Sequence, residues 1–213
     1  MKTDELVAML ANGVIAVEPH AAARRYAIAL GAGALAAGVL MVTLLGVRPD
    51  LAAALRLPMF WVKAAYVAVL AVAALVAALR LSRPGVRLDW VPALMAAPIL
   101  AMWLLALVVL VNAGPSERSA LFYGDTWTSC PWLIAMLSAP VFVGVLWAMK
   151  GLAPTRLRLA GAVAGLLSGA TGALVYCLHC PELEAPFLGC WYLLGMLILT
   201  AVGALAGPRL LRW

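Results

Sequence analysis

The residues of this 213-residue chain with the greatest potential for chemistry are its four cysteines. Cys130 directly precedes a long apolar run, Cys177 and Cys180 close a second run, and Cys190 opens a third. Apolar runs of this length predict membrane-spanning helices, and their order places all four thiols near one membrane surface. Because thiols form disulfides, exchange with other disulfides and bind soft metals, this layer is the candidate site.

Three kinds of thiol chemistry fit the spacing. The first is disulfide formation: four cysteines permit three pairings, and the spacing does not choose between them. A disulfide between Cys177 and Cys180 would be strained in a helix, whereas one between Cys130 and Cys180 is easier to form. Second, the thiolates with His179 would suit zinc, cadmium or copper(I). Third, the run Cys177-Leu178-His179-Cys180 would suit catalytic thiol–disulfide exchange. Buried structural cysteine, which needs no chemistry, is the plain alternative.

Composition identifies the environment of these thiols. Hydrophobic residues make up 66% of the chain and charged residues 11%, whereas soluble domains have roughly half and a quarter. With a mean hydropathy of +1.05, the chain cannot cover itself with polar surface, which excludes a soluble globular domain and a disordered chain. The formal charge of +6 is then better explained by membrane topology than by nucleic acid, so no direct nucleic-acid partner is expected.

Six apolar runs are long enough to cross a hydrocarbon core of ~30 Å as helices. We therefore expect an all-α polytopic membrane protein in contact with the lipid bilayer, with an amphipathic arm at residues 1–25 and a six-helix transmembrane domain at 26–213. Continuous runs do not fit the alternating strands of a barrel. The expected spans are about 26–47, 59–79, 90–111, 131–149, 159–178 and 186–207.

The Lys and Arg residues of the connections predict the orientation, because cytoplasmic connections are enriched in them. The side that carries the cysteines has only Arg48, Arg56 and Arg118. The opposite side has Lys2, Arg24, Arg25, Arg80, Arg83, Arg87, Lys150, Arg156, Arg158, Arg209 and Arg212. Both termini are therefore expected in the cytoplasm, and in a bacterium the thiols would face an oxidising compartment.

Two features within the spans bear on packing and function. Lys63 is the one charged residue in an apolar run, and its place near the outer boundary predicts that its ammonium group snorkels to the interface. No chain of acids or histidines crosses the spans, which disfavours a transporter. Small residues at every fourth position predict close helix approach in the fifth and sixth runs: Gly161, Gly165, Gly169, Gly203 and Gly207.

The cytoplasmic arm is predicted to form a short amphipathic helix that Pro19 ends. Its acidic start suits the positive end of a helix dipole, and apolar residues follow at helical spacing. Docking into the groove of a partner protein is preferred to lying on the bilayer, because surface helices favour a cationic polar face. The expected partner-binding residues are Asp4, Glu5, Leu6, Met9, Leu10, Val14 and Val17.

Several segments together resemble the NrsF-like family of bacterial negative regulators of sigma factors. They are MKTDEL at 1–6, DTWTSCP at 125–131, LSAP at 137–140, LAPTR at 152–156, LHCPE at 178–182, PF at 186–187 and WY at 191–192. The resemblance runs over nearly the whole chain and implies a six-helix anti-sigma factor of the inner membrane, which is no enzyme. Such a protein would hold an extracytoplasmic-function sigma factor on the cytoplasmic side and release it under chemical stress such as heavy metals.

The resemblance also ranks the four thiols. The paired outer cysteines of the family match Cys130 and Cys180, which are therefore the first candidates for redox sensing or for binding a metal. Cys177 and Cys190 look like additions to that pattern, so a second disulfide or a four-thiol metal site stays open. No cofactor is obligatory; zinc, cadmium or copper is the metal expected if one binds.

A one-component sensor would need the outer thiols to change helix packing and thereby the exposure of the arm. The fifth span, which carries the glycines and leads to Cys180, is the candidate moving element. The main rival is an enzyme, a membrane thiol–disulfide oxidoreductase of the quinone-linked type, which also places paired cysteines at an outer helix end. The oligomeric state is not predicted.

Overall fold

The computed structural model of the chain describes residues 3–12, 20–83, 85–152 and 154–212. Helices and their connections account for all of this described part, which contains no strand. The helices are α1 Thr3–Asn12, α2 Ala21–Leu40, α3 Leu51–Ala54, α4 Pro58–Leu81, α5 Val91–Asn112, α6 Arg118–Tyr123, α7 Cys130–Lys150, α8 Leu157–Tyr176, α9 Ala185–Phe187 and α10 Leu193–Leu210. A π-helical segment, Met41–Leu45, extends α2, and another, Leu188–Tyr192, joins α9 to α10.

The prediction of six spanning helices is confirmed. Six helical stretches are long and apolar enough to cross a membrane: Ala21–Leu45, Pro58–Leu81, Val91–Asn112, Cys130–Lys150, Leu157–Tyr176 and Ala185–Leu210. The first begins before its expected start because the cationic pair of Arg24 and Arg25 is already helical. The fifth ends at Tyr176 rather than 178, because the chain turns there into the connection that carries Cys180. The division into an arm and a membrane domain stays a prediction.

Helix α8 lies at the centre of the bundle, whereas α5 lies at its edge. The most apolar stretch of α8 is 67% buried and that of α5 only 11%. The centre is occupied by α8 because its small residues let other backbones approach. A Cβ atom on Gly165 would overlap the carbonyl group of Leu199, and one on Gly169 would lie 2.9 Å from Met196 Cα. The predicted close packing of the fifth and sixth spans is therefore present.

The bundle has two ends, which we name by their content. The cysteine end comprises the connections at 46–57, 113–129 and 177–184, and the arm end comprises those at 82–90 and 151–156 together with the start of α2. Each end has its own cluster of buried apolar side chains, with Cys130 and Cys180 in the first and Tyr26 in the second. Two packed clusters joined by α7 and α8 make the ends one structural unit.

The arm is helical from Thr3 to Asn12, as α1, with Asp4 and Glu5 in its first turn. The side chains of Asp4, Glu5 and Val7 are exposed. The side chains of Leu6, Met9 and Leu10, together with all of Val14 and Val17, lie outside the described residues. The predicted apolar stripe therefore stays a prediction.

Candidate functional site: the thiols of the cysteine end

The four thiols do not share one environment. Cys130 is the first residue of α7, Cys177 follows the last residue of α8, and Cys180 stands three residues later in the connection. All three are buried, with exposed fractions of 0%, 3% and 0%. Cys190 lies in the π-helical segment before α10 and is exposed. The predicted common layer thus contains three buried thiols and one at the surface of the protein.

Cys130 and Cys180 are the thiols that the fold brings together. Both belong to one buried cluster, in which Cys130 is near enough to influence the ionisation of Cys180. Tyr176 and Tyr192, whose ring centroids lie 5.8 Å apart, belong to the same buried cluster. Two thiols in one buried cluster are candidates for a disulfide, which needs Cα atoms within about 7 Å of each other.

Lys63 does not snorkel to the interface, as its position in the sequence predicts, but is fully buried beside this pair. Its Nζ donates hydrogen bonds to the carbonyl oxygens of Cys180 at 3.1 Å and Glu182 at 2.9 Å. It also lies 4.8 Å from the centroid of the Tyr192 ring, a cation–π distance. The prediction fails because the connection at 177–184 folds back over α4 and brings acceptors to the ammonium group.

Arg48 holds the same connection from the other side. Its backbone N–H donates to the Leu178 carbonyl at 3.1 Å, and its Nη1 donates to the Cys180 carbonyl at 3.2 Å. The rest of the guanidinium group binds both oxygens of Asp50, at 2.7 and 2.6 Å. That bidentate pair lowers the pKa of the Asp50 carboxyl below its ordinary value. The carbonyl of Cys180 therefore accepts hydrogen bonds from two cations.

His179 points away from the thiol pair. Its Nδ1 lies 2.8 Å from the Gly46 carbonyl oxygen, and since a carbonyl only accepts, Nδ1 carries the proton. The imidazole ring packs against Tyr176, with the centroids 5.5 Å apart. His179 therefore tethers the connection to the end of the first span.

Glu182 ties the segment before Cys130 to the segment after Cys180. Its Oε1 accepts hydrogen bonds from the Asp125 N–H at 2.9 Å and from Thr126 Oγ1 at 3.3 Å. Gly124 makes this contact possible: its φ is +55°, and a Cβ atom there would lie 2.7 Å from Glu182 Oε2. The two connections that carry the thiol pair are thereby joined to each other.

The surroundings favour the ionised form of one thiol. The hydrogen bond from the Cys130 thiol lowers the pKa of Cys180 below its ordinary value, and the nearby charge of Lys63 lowers it further, whereas burial opposes both. A thiolate is the form of cysteine that attacks oxidants and binds metals. Cys180 is therefore the candidate nucleophile of the pair.

The geometry provides two sulfur ligands rather than a complete zinc site. Within residues 3–12, 20–83, 85–152 and 154–212, no three His, Cys, Asp or Glu side chains converge as metal ligands. A structural zinc ion takes four ligands, and the fold directs His179 and Cys190 elsewhere. A four-thiol site therefore does not fit this arrangement, and a soft metal held by Cys130 and Cys180 stays a prediction.

The sequence alone does not identify Arg48, Lys63 and Glu182 as members of the site. The feature of the sequence that could have indicated them is a lysine inside an apolar run, together with an arginine and a glutamate in connections at the same end of the bundle. What the sequence does not show is how the connections fold over one another, and that fold determines which carbonyl groups the cations meet.

Comparison with known proteins identifies the family. The family model described as "NrsF: Negative regulator of sigma F" matches residues 10–213. A protein of Azospira oryzae named "Probable anti-sigma-F factor NrsF" is 62% identical over 213 residues, and one of Caulobacter vibrioides named "Anti-sigma-F factor NrsF" is 42% identical over 218; each alignment covers 100% of both chains. The search of solved structures gave no match. The rival interpretation as an oxidoreductase is not supported, since negative regulators are not a class of enzymes. The chain belongs to the NrsF family of negative regulators of sigma F.

Proposed function

We propose that the protein is an anti-sigma factor of the bacterial inner membrane that binds an extracytoplasmic-function sigma factor on its cytoplasmic side and releases it when Cys130 and Cys180 react. The names of its relatives support the sigma-factor partner. The contact between two buried thiols at one end of a membrane bundle is the observation that carries the sensing function.

The orientation that we propose has the arm end in the cytoplasm. Arg87 and Arg156 at that end are exposed, as positive residues of cytoplasmic connections are. The cysteine end then faces the periplasm, where oxidants and metal ions arrive without crossing the membrane and where disulfides persist. The arm and the thiols lie at opposite ends, so release of the sigma factor requires a change in the helices between them.

The reaction that best fits the geometry is disulfide formation. The Cys180 thiolate attacks a two-electron oxidant such as hydrogen peroxide, which breaks the O–O bond, forms a sulfenic acid at Cys180 and, with one proton, releases one water molecule. Attack by Cys130 on that sulfur forms the S–S bond and releases a second water molecule. The two thiols together lose two electrons and two protons, and the peroxide gains them. Soft metals would use the same two sulfurs as ligands.

The path to the arm that we propose runs through α8. Cys180 stands four residues after the end of α8, and the contact between the α8 and α10 backbones makes these two helices move together. At the arm end, α8 packs on α7, which in turn packs on α2, the helix that follows the arm. The coupling is allosteric only if the two thiol states differ in their helix contacts.

The sensing function is tested with cysteine variants in cells that carry a reporter for the sigma factor. Cys130→Ser and Cys180→Ser should each lose at least about tenfold of the reporter induction by diamide or cadmium, because the disulfide or metal needs both sulfurs. Cys190→Ser is the matched control and should respond like the wild-type protein. An unchanged response in both test variants would overturn the proposal. A response to diamide alone identifies disulfide formation as the signal, and a response to cadmium alone identifies metal binding.

The role of the arm is tested by deleting residues 2–18. The truncated protein should no longer retain the sigma factor during purification from membranes, and the reporter should be active without stress. The control is the same deletion assayed for membrane insertion, which the six spans should support unaided. Co-purification of the sigma factor with the truncated protein would contradict this assignment.

A further inference from the structure

Lys63 is a buried cation whose surroundings include no described carboxylate partner. Lys63 belongs to α4 and its side chain is fully buried. Among the described residues it forms no salt bridge, since the Glu182 carboxylate instead accepts hydrogen bonds from the segment at 125–126. Burying a charge is costly unless hydrogen bonds compensate it. An apolar residue would fill this place at lower cost if packing were its only role, so the hydrogen bonds of the ammonium group are the feature to explain.

Those hydrogen bonds all go to one short piece of backbone. The acceptors are the carbonyl groups of Cys180 and Glu182, which flank Pro181. The Cys180 N–H donates to the Tyr176 carbonyl at 3.0 Å, which ties Cys180 to the end of α8, whereas Pro181 has no N–H to donate. The ammonium group of Lys63 adds the tie between the backbone of Cys180 and α4.

Fixing that backbone determines which sulfur Cys180 meets. Cys130 enters the cluster from the start of α7, and Cys177 from the end of α8, three residues before Cys180. A connection free to shift would bring Cys180 towards either thiol. Held by Lys63 on α4 and by Arg48, it lies with Cys130 in one buried cluster.

We propose that Lys63 is the positioning residue of the thiol sensor: its ammonium group holds Cys180 against Cys130 and so directs oxidation to that pair. This inference rests on the proposed function of the pair, but it concerns the pairing and its rate rather than the release of the sigma factor. Lys63 takes no part in the bond changes. It sets the geometry in which the two thiols lose two electrons and two protons to the oxidant.

The test measures disulfide formation in the full-length protein, reduced, in detergent micelles and without a sigma factor. Diamide is the oxidant: it takes two electrons and two protons from two thiols and becomes the hydrazine. Non-reducing peptide mass spectrometry identifies the pairs, and alkylation at set times gives the rate. In the wild-type protein, Cys130–Cys180 should be the main product.

Lys63→Met should form Cys130–Cys180 about tenfold more slowly, because the sulfurs are no longer held in line, and Cys177–Cys180 should appear beside it. Lys63→Arg, which keeps a cation with several N–H donors, should restore the wild-type pairing. A residue that only supported the fold would change the unfolding temperature without changing which cysteines pair. If Lys63→Met does not fold, Lys63→Gln, neutral but still a donor, takes its place with an expected slowing of about threefold to tenfold.

Wild-type pairing at the wild-type rate in a folded Lys63→Met or Lys63→Gln protein would overturn the inference and leave the sensing function standing. Absence of the Cys130–Cys180 product in the wild-type protein would overturn both the inference and the disulfide step. Failure of the Cys130→Ser and Cys180→Ser reporter test, with Lys63-dependent pairing intact, would overturn the sensing function alone. The two proposals therefore fail in distinguishable ways.

Discussion

The two ends of the bundle are built differently. At the cysteine end, side chains from three connections and one helix cross-link each other: Arg48 and Lys63 both bind the Cys180 carbonyl, and Glu182 binds the segment before Cys130. At the arm end, the Tyr26 hydroxyl pairs with Ser82 Oγ at 3.0 Å in the interior. The ion pair of Arg87 with Asp89 there, at 3.6 Å, is exposed.

The difference indicates that the two ends of the bundle are suited to different kinds of interaction. Cross-linked buried hydrogen bonds restrict the geometry of the cysteine end, although the buried hydroxyls of Tyr66 and Tyr192 there have no hydrogen-bond partner. The reaction proposed for the two thiols needs such a restricted geometry. Exposed charges contribute little to stability but leave their surface available to another protein. The cysteine end is thus suited to chemistry within the chain and the arm end to contacts outside it.

The largest expected effect comes from a change that removes the scaffold common to both ends. Gly165→Leu would force a side chain into the Leu199 backbone, and α8 and α10 would separate at a cost of at least about 3 kcal/mol. The variant should fail to accumulate in membranes, measured by quantitative immunoblotting. Gly31→Leu is the control, since a Cβ atom at Gly31 meets nothing within 4 Å. Equal amounts of the two variants would show that the glycine contact does not hold the ends together.

An intermediate effect is expected from Arg48→Met, which breaks the cysteine end alone. The Cys180 carbonyl loses one of its two cationic donors, so the free energy of unfolding in detergent should fall by about 2 kcal/mol. Cys180 should also react faster with maleimide, because the connection above it opens more often. Arg56→Met, at an exposed arginine of the same end, should change neither quantity. A reaction rate equal to that of the wild-type protein would mean that Lys63 holds the connection unaided.

The smallest effect is expected from Tyr26→Phe at the arm end. The variant loses the hydrogen bond to Ser82, but Ser82 Oγ keeps its bond to the Ala78 carbonyl at 2.8 Å. The unfolding free energy should fall by about 1 kcal/mol, with the rate of Cys180 alkylation unchanged. Tyr123→Phe, an exposed tyrosine of the cysteine end, is the matched control for loss of a hydroxyl. A loss as large as that of Arg48→Met would remove the contrast between the ends.

The architecture could be predicted from sequence because it depends on the lipid bilayer. Apolar runs of about 20 residues have one stable arrangement in lipid, the helix, so the six spans follow from composition and length. The close approach of another helix to Gly165 follows as well, because small residues at every fourth position line one face of a helix. That this helix is α10 is seen only in the structure. These are local properties, and a single chain displays them.

The candidate site could be predicted only in part. The positions of the cysteines in the sequence predict that they lie at one end of the bundle. The resemblance to the NrsF-like family selects Cys130 and Cys180 among them. It misplaces Lys63, because burial of that lysine depends on carbonyl groups more than 100 positions away in the chain. It also does not separate Cys190 from the others. The π-helical turn before α10 determines which way that residue faces, and apolar composition is the same in a π-turn and an α-turn.

The centre of the bundle also has a consequence for how the protein is made. Among the six spans, α8 has the lowest mean hydropathy and yet the most buried surface, so its glycines and serine suit contact with protein better than contact with lipid. During membrane insertion, α8 leaves the translocon before α10 has been synthesised. Of its neighbours in the bundle, α2, α4 and α7 are already present at that time. The position of α8 in the bundle is stabilised only when α10 packs against its glycine face. A nonsense mutation between the two helices would remove α10 and would also destabilise α8 in the membrane, because α8 would lose the helix that covers its glycine face.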